Sequence, residues 1–434
     1  MIGRPPSVQT SNRSALYRLL ALVAAVVLLT LWLHGFDVLI VVLALVVMVM
    51  AHEAGHFVTA KLSGMKVTEY FLGFGPRILS FRRGETEYGV KAIPAGGYVK
   101  IVGMTGLEEV DPLDEARSYR QSTFPRRVLV GVAGSTMHFV MAFLLLWGMV
   151  AFAGLPSSAA EIGGFTTYTN AVSPAKAAGL HAGDVVVSVD GRAVPTANDF
   201  VNYVHAHPDA RLDLGVRRAG RLVSVVVVSR DARGLDVAVN GVPTPEIKAK
   251  QPVGVIGVAL GQSYVTENPL SALGRAGALL GSVTRASFAG LGEIFSPHGL
   301  ASFARSVASA RSQHAAAAAG NTGATGNSGQ LVSILGAIQV GAQAAHQNVS
   351  ELLYILVAVN VFVGIVNLVP MLPLDGGHVA IAVYERLRSR RGRRYHADVA
   401  KLMPVAYLFL AFILVLGLGA LYANAVNPVH LPGG

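Results

Sequence analysis

The chain has 434 residues, of which 52% are hydrophobic and only 14% charged, and its formal net charge is +10. This composition is typical of membrane proteins, and the positive charge flanks apolar runs, which argues against a nucleic-acid-binding protein with a basic patch on a soluble domain. The chain has no cysteine, which excludes disulfides and thiolate metal ligands.

Five apolar segments are long enough to cross a bilayer, which requires roughly 17 to 25 residues of helix. They cover residues 15–33, 37–58, 128–154, 350–370 and 403–423. The first resembles a signal peptide, but it continues into the second with only His34 and Asp37 as polar interruptions, and no small-residue cleavage site follows. We therefore interpret 15–33 as an extra span.

Lysine and arginine in the short flanks predict the orientation of these spans, because cationic residues are retained on the cytoplasmic side. They are concentrated in the N-terminal arm, in residues 61–127 and in residues 381–402. Residues 155–349 and the C-terminus are then outside.

The second apolar segment runs into AHEAGHFVTA, residues 51–60. On a helix, His52 and His56 lie on one face, where two neutral imidazoles suit a zinc ion, and Glu53 lies beside them. A catalytic zinc site keeps one position open for water, so Glu53 is the candidate general base. The alternative is that these polar residues simply cap the span, although ionisable groups inside a membrane segment normally mark function.

Residues 65–103 have the pattern of short strands joined by glycine turns. Such backbone is tolerated at membrane depth only where protein or a water cavity covers it. Residues 107–118 are acidic and predict a solvated cytoplasmic loop or helix.

Residues 163–259 have the composition of a soluble domain. The stretch GLHAGDVVVSVDG, residues 179–191, predicts a helix end and then a strand leading to a hairpin at Asp190-Gly191. A helix over 198–205 and two strands within 212–229 follow. The pattern resembles a PDZ domain of the bacterial protease type, a fold that binds extended peptides by adding a strand to a sheet edge. A purely structural module is the alternative.

Residues 270–312 predict amphipathic helices on the outer surface, and residues 315–330 a flexible linker. The fourth span then leads into NLVPMLPLDGGH, residues 367–378. Asp375 follows two prolines and precedes two glycines, which predicts an irregular turn at membrane depth. A carboxylate there is the natural third ligand for a zinc held by two histidines, with His378 as an alternative.

Together, HEAGH, FGFGP, PAGGYVKIVGM, the PDZ-like insert and NLVPMLPLDGGH resemble the site-2 protease family of intramembrane metalloproteases, in the bacterial form with one PDZ domain. The resemblance implies an α-helical polytopic membrane protein of about five spans, with a membrane-associated β-hairpin segment and an inserted extracytoplasmic α+β PDZ domain. It also implies that His52, His56 and Asp375 bind Zn²⁺, that Glu53 is the catalytic base and that Asn367 engages the substrate backbone.

The implied function is an intramembrane zinc endopeptidase of the bacterial inner (cytoplasmic) membrane, with its active site toward the cytoplasm. It would cleave single-pass transmembrane proteins in regulated intramembrane proteolysis, namely anti-sigma factors already trimmed by a first protease, with signal-peptide remnants as further substrates. The expected partners are these substrates, the lipid bilayer and a peptide at the PDZ domain, with no nucleic acid. An inactive zinc-binding scaffold or receptor that acts through its PDZ domain is the alternative.

Two features depart from the family pattern. The third span has His138 where the family usually has asparagine; we interpret it as a packed interfacial histidine, and the alternative is that it takes over the role of that asparagine. The span at 15–33 is additional. The predicted divisions are an arm and extra span (1–36), a first membrane part (37–160), the PDZ domain (161–260), surface helices and linker (261–349) and a second membrane part (350–434).

Overall fold

A computed structural model of the protein describes residues 12–105, 109–239, 242–245, 251–318, 334–389 and 395–426. The chain forms two compact units. One contains Met1–Met149 and Pro269–Gly434, and the other is Val150–Asn268, which includes the segment predicted as a PDZ domain.

Among the described residues there are ten α-helices. They are α1 (Asn12–Leu62), α2 (Phe124–Gly148), α3 (Pro174–Ala177), α4 (Ala197–His205), α5 (Pro269–Ile294), α6 (Pro297–Ala318), α7 (Ile334–Gln347), α8 (Val349–Asn367), α9 (Asp375–Arg388) and α10 (Met403–Val426). A π-helical turn, Met149–Ala153, extends α2, and short 3₁₀ helices cover Glu115–Arg117, Ala232–Gly234 and Val399–Leu402.

Four stretches of helix in the described part of the chain are long and apolar enough to cross a membrane. They are Phe36–Leu62, Phe124–Ala153, Val349–Asn367 and Val399–Val426, which correspond to four of the five predicted spans. The fifth, 15–33, is the beginning of α1, and the interruption predicted at His34–Asp37 is absent. This stretch of α1 contains no proline, so nothing in its backbone prevents helix formation. A helix of 51 residues is about 75 Å long, well beyond a hydrocarbon core of about 30 Å, and a separate first span stays a prediction.

The first unit is built around α2, which contacts α1, α5, α8 and α9. Small residues on α2 allow close approach, as is usual between helices in membranes. Its Val130 is fully buried in a cluster with Ala60 and Met65 at the end of α1 and with Val67 and Ile101 of the following strands. The element that holds the two halves of this unit together is therefore α2.

The predicted strands are β1 (Val67–Arg83) and β2 (Thr86–Ile101), which form one antiparallel pair. Each of them bends, because Gly73, Gly75 and Gly96 take positive φ angles. As a result, the segment 69–72 pairs on one side with β2 near Lys100 and on the other with β2 near Glu87. Two long strands thus make a small sheet of four segments, ordered 77–83, 86–91, 69–72 and 97–101.

The strands of the second unit are short. They are β3 (Leu155–Pro156), β4 (Ala160–Phe165), β5 (Val185–Val189), β6 (Arg192–Ala193), β7 (Arg211–Arg218), β8 (Arg221–Val228), β9 (Arg230–Asp231), β10 (Asp236–Val239), β11 (Val242–Pro245), β12 (Gly254–Val255), β13 (Val258–Gly261) and β14 (Tyr264–Val265). The main sheet has the order β13-β4-β5-β7-β8, with β6 paired to β5.

The core of the second unit is formed by alternating residues of this sheet and by α4. Ile162, Val186, Leu212 and Leu214 from the strands are almost fully buried with Phe200 of α4. The hairpin predicted at Asp190-Gly191 is present, with φ angles of 49° and 75°. The second predicted hairpin turns at Ala219-Gly220 with φ angles of 47° and 81°, and both pairs of positive values match a tight turn between right-twisted strands.

The helices predicted over 270–312 are present as α5 and α6. They pack against the apolar helices of their unit: the indole N–H of Trp147 at the end of α2 donates to Pro269 O at 2.9 Å, and Phe295 contacts Phe412 of α10. Their location at the outer surface stays a prediction. The predicted linker, 315–330, lies mostly outside the described residues, as do residues 106–108 of the acidic segment.

Candidate active site

Two imidazoles face the same side of α1 near its C-terminal end. Because His52 and His56 are one helical turn apart, their rings meet edge to face with centroids 4.9 Å apart. Their Nε2 atoms are 3.2 Å apart. The HEAGH segment is helical because it continues the apolar run that precedes it.

The third ligand candidate comes from the opposite end of the chain. Asp375 Oδ2 lies 3.1 Å from His56 Nε2 and 3.3 Å from His52 Nε2. Sequence reasoning expected Asp375 on an irregular turn, but it is the first residue of α9. The turn precedes it, and the two glycines that follow are required by close approach: a Cβ on Gly376 would lie 2.3 Å from Leu368 O, and one on Gly377 2.7 Å from Leu372 N.

These donors fit a zinc ion. In tetrahedral coordination with zinc–ligand bonds of about 2.0–2.2 Å, neighbouring ligand atoms are about 3.3–3.6 Å apart. The three observed separations, 3.1, 3.2 and 3.3 Å, are at or just below the short end of this range. The side chains are only 7 to 15% exposed. Two imidazole nitrogens and one carboxylate oxygen are also a donor set used by catalytic zinc, with one position left for water.

A metal ligand needs its free nitrogen held toward the ion. The Nδ1–H of His56 donates to the Val130 carbonyl of α2 at 2.7 Å, which leaves Nε2 as the nitrogen without a proton. One helical turn further along α2, Gly134 lies against both rings, and a Cβ there would be 2.4 Å from His52 Cε1 and from His56 Nε2. Sequence reasoning missed both residues, because their role comes from packing between helices.

Glu53 lies on the side of α1 that faces β2. The Val99 N–H donates to its carboxylate. Gly97 allows β2 to approach, since a Cβ there would lie 3.1 Å from Glu53 Cγ. A cavity of about 620 Å³ is lined by the ligand residues, Glu53 and the end of β2. The arrangement is that of a hydrolytic metal site with a carboxylate at its open side.

The comparisons with known proteins decide the family. A family model described as Peptidase family M50 matches residues 40–411. The chain belongs to peptidase family M50. This is the site-2 protease family, so the resemblance inferred from the motifs is confirmed.

This M50 peptidase is similar to proteins named Zinc metalloprotease Rip1. The protein from Mycolicibacterium smegmatis is 32% identical over 430 residues, covering 92% of this chain and 99% of that protein. The protein from Mycobacterium tuberculosis is 32% identical over 412 residues, covering 90% and 97%. The predicted zinc metalloendopeptidase activity is confirmed at the level of the family and these relatives.

Two solved structures of PDZ domains match about a quarter of this M50 peptidase, and only weakly. The PDZ domain of an SdrC-like protein from Listeria monocytogenes covers 23% of this M50 peptidase and 86% of that chain, with 18% identity and a TM-score of 0.16. This value carries no argument about the fold. The PDZ assignment therefore stays a prediction, supported by the strand, helix and turn pattern.

His138 of this M50 peptidase lies closer to the site than its sequence position suggested. It is packed, as expected, but its ring lies 4.9 Å from that of His52. Its Nδ1–H donates to Asn360 Oδ1 of α8 at 3.1 Å, and the amide of Asn360 donates in turn to Leu356 O. Asn360 is buried inside an apolar helix, which is a signal that sequence reasoning passed over.

The two remaining residues singled out in the sequence, His378 and Asn367, are not among the three candidate metal ligands. His378, considered as an alternative ligand, is not part of the group formed by His52, His56 and Asp375. The centroid of its ring lies 6.4 Å from the centroid of the Tyr119 ring. It lines the cavity beside Asp375. Asn367 is the last residue of α8, half-buried, and is not among the residues that line the cavity.

Proposed function

We propose that this M50 peptidase is an intramembrane endopeptidase in which His52, His56 and Asp375 hold Zn²⁺ and Glu53 is the catalytic base. The observation that carries this proposal is the meeting of three donors from α1 and α9 with a carboxylate at their open side. When bound, the ion supplies Lewis-acid polarisation of the water and of the scissile carbonyl.

Glu53 performs the proton transfers in this mechanism. Its carboxylate takes a proton from the water whose oxygen bonds to the carbonyl carbon, and it gives that proton to the amide nitrogen as the C–N bond breaks. The Val99 N–H keeps the carboxylate oriented. Met50 and Glu53 of α1 both pack beside Gly97 of β2, which keeps the carboxylate at the edge of the cavity that contains the three ligand candidates.

The test is to replace Glu53 with glutamine in the full-length protein. We expect Glu53→Gln to keep its zinc, measured by elemental analysis, and to lose cleavage of a model single-pass substrate by at least about 100-fold, the size of general acid–base catalysis. Glu109→Gln, an exposed carboxylate outside the site, is the control and should cleave normally.

Retained cleavage by Glu53→Gln would contradict the base assignment. A wild-type protein that is inert although zinc-loaded would instead favour the scaffold interpretation. Loss of zinc from Glu53→Gln would mean that Glu53 acts in binding the metal rather than in proton transfer.

We further propose that the substrate segment is held in extended form along the end of β2. A helical substrate has its peptide bonds shielded by its own hydrogen bonds, and a strand edge offers alternative partners. The segment 97–101 is at the edge of the four-segment sheet and lines the cavity. Asn367 is proposed to engage the substrate backbone on the strength of the family resemblance alone.

The proposed location is the bacterial inner (cytoplasmic) membrane, with the second unit on its extracytoplasmic side and the active site toward the cytoplasm. Basic residues in 61–127 and 381–402 support this orientation. The histidines near the end of Phe36–Leu62 and Asp375 just after Val349–Asn367 then lie at the same, cytoplasmic side. A site near one membrane surface gives water a short path.

The proposed substrates are anti-sigma factors whose external domain has already been trimmed, with signal-peptide remnants as a second group. In this proposal the second unit is a gate that rejects untrimmed proteins and binds peptides by strand addition. Deleting residues 163–259 is expected to permit cleavage of an untrimmed substrate, measured against the trimmed form in the same membranes. Unchanged discrimination between the two forms would reject the gate.

A further inference from the structure

The surface between α9 and the start of α10 carries features that the peptidase chemistry does not use. A cleft of about 510 Å³ lies there. Its floor is Pro370–Leu372, one wall is the face of α9 at Ile381, and the other is the start of α10 at Leu402 and Val405. The interior of the cleft is therefore mostly apolar.

The rim of the cleft is basic and aromatic. The Arg388 guanidinium lies over the rings of Tyr384 and Tyr395, 5.6 and 5.2 Å from their centroids, and donates to the Tyr384 hydroxyl at 2.7 Å. Lys401, on the opposite wall, has its side chain 82% exposed and lies 3.3 Å from the carboxylate of Asp398, which also lines the cleft. Among the described residues, Arg388 is therefore the cation of the rim without a carboxylate partner at the cleft. An arginine stacked in this way is held in place while its charge still faces solvent.

The wall that carries Tyr395 is fixed to α9. The Tyr395 N–H donates to Ser389 Oγ at 3.0 Å, and the Ala397 N–H donates to Glu385 Oε1 at 2.7 Å. The cleft is therefore a preformed feature of the surface, which lowers the cost of ordering a ligand there.

The chemistry of the occupant follows from charge and position. Residues 384–405 contain seven basic and two acidic residues, four of the basic ones outside the described residues. Of the two acids, Glu385 is buried against Arg127 and Asp398 pairs with Lys401 at the cleft. The cleft lies beside the start of α10, which is long and apolar enough to cross a membrane and whose Leu408 and Val415 are 73% and 67% exposed. An apolar cleft with a cationic rim at the end of a membrane span suits a molecule with an acyl chain and an anionic phosphate.

We propose that this cleft binds an anionic glycerophospholipid, with the phosphate at Arg388 and Lys401 and an acyl chain between Ile381 and Leu402. The lipid then contacts Pro370–Leu372, the turn that leads into Asp375. Tyrosines at the headgroup level, here Tyr384 and Tyr395, are usual at such interfaces.

In the test, the full-length protein is delipidated in detergent, and phosphatidylglycerol or phosphatidylcholine is then added. Native mass spectrometry measures how much of each lipid is bound. We expect preferential binding of phosphatidylglycerol. Arg388→Gln and Lys401→Gln should each weaken that binding by about five-fold, the effect of one basic residue at an anionic lipid surface. Ala380→Phe, which fills the cleft, should weaken the binding of phosphatidylglycerol with no change of charge.

Arg82→Gln is the matched control, because it removes the same charge from an exposed position in β1, away from the cleft. If Arg82→Gln and Arg388→Gln weakened the binding of phosphatidylglycerol equally, the lipid would be bound by general attraction to the basic surface, and the proposal of a specific site would be overturned. Equal binding of the two lipids, or displacement of phosphatidylglycerol by inorganic phosphate, would overturn it too. Melting temperatures of all variants identify any that fail to fold. Lys401, whose side chain is 82% exposed, is the position where a substitution to glutamine is least expected to disturb folding, so this variant still tests the proposal if the others unfold.

Discussion

At the scale of single residues, Gly134 determines whether both imidazoles fit beside α2. A methyl group there would lie within 2.4 Å of His52 Cε1 and His56 Nε2, closer than any real contact. We expect Gly134→Ala to displace the rings and to lower zinc affinity by about 10 to 100-fold, as changes behind metal ligands do. Competition with a chelator of known affinity measures the change.

Gly148→Ala is the matched control, because Gly148 ends the same helix and a Cβ there meets nothing within 4 Å. It should leave zinc affinity unchanged. Normal affinity in Gly134→Ala would mean that the rings occupy other positions when the metal is bound.

The sequence predicted the residues that would bind the metal and transfer protons, but it did not predict the residues that hold those side chains in position. The spacing of His52 and His56 follows from helix geometry. Asp375, 319 residues away from His56, was predicted as the third ligand from its place behind two prolines and before two glycines, and the family resemblance implied the same role. Val130, Gly134 and Gly97 act through close approach between elements that are distant in the chain, so no local pattern distinguishes them. Asn360, a buried amide in an apolar helix, was visible in the sequence as an exception.

At the scale of elements, a buried ion pair joins α2 to the helix that carries Asp375. Arg127 Nη1 lies 2.5 Å from Glu385 Oε2, and the two side chains are 11% and 8% exposed. Removing one partner leaves an unpaired buried charge, so we expect Arg127→Met to lower the free energy of unfolding by about 3–5 kcal/mol and to weaken zinc binding through α9. Unfolding in denaturant and chelator competition measure the two effects.

The double variant Arg127→Met with Glu385→Met tests the mechanism, since replacing both partners by apolar side chains should recover most of the loss. Arg120→Met is the control: its partner Glu115 is at the surface, and we expect a change below about 1 kcal/mol. If the double variant is as unstable as Arg127→Met, the loss comes from packing of the arginine and not from an unpaired charge.

Periodicity and turn residues predicted most elements, including β1, β2, both hairpins of the second unit and the spans that correspond to α2, α8 and α10. The predicted spans 15–33 and 37–58 lie on one continuous helix, α1, which the polar residues between them do not interrupt. Polarity alone does not end a helix; proline or a capping residue does, and His34–Asp37 contains no proline. The helices against which α5 and α6 pack could not be predicted from the sequences of α5 and α6, because the contacts are made with residues that are distant in the chain.

At the scale of the whole molecule, the chain combines an apolar unit with a second unit whose stability rests on ordinary soluble-domain interactions. Asp184 is almost fully buried in the second unit and receives two hydrogen bonds from Arg218, at 2.8 and 2.7 Å. The Arg218 guanidinium holds the pKa of the Asp184 carboxyl below its ordinary value. Two units of such different composition are expected to unfold in separate transitions.

Acid should therefore weaken the second unit selectively. Because the folded pKa of Asp184 is depressed, its stabilisation is complete above the ordinary value of about 3.9 and is lost as pH falls below it toward the folded pKa. Arg218→Gln removes the cause: we expect lower stability at neutral pH and a flatter pH dependence for this unit, from calorimetry of the full-length protein. Arg221→Gln, exposed across the same hairpin turn, should change neither. An acid response that is equally steep in Arg218→Gln would assign it to other carboxylates.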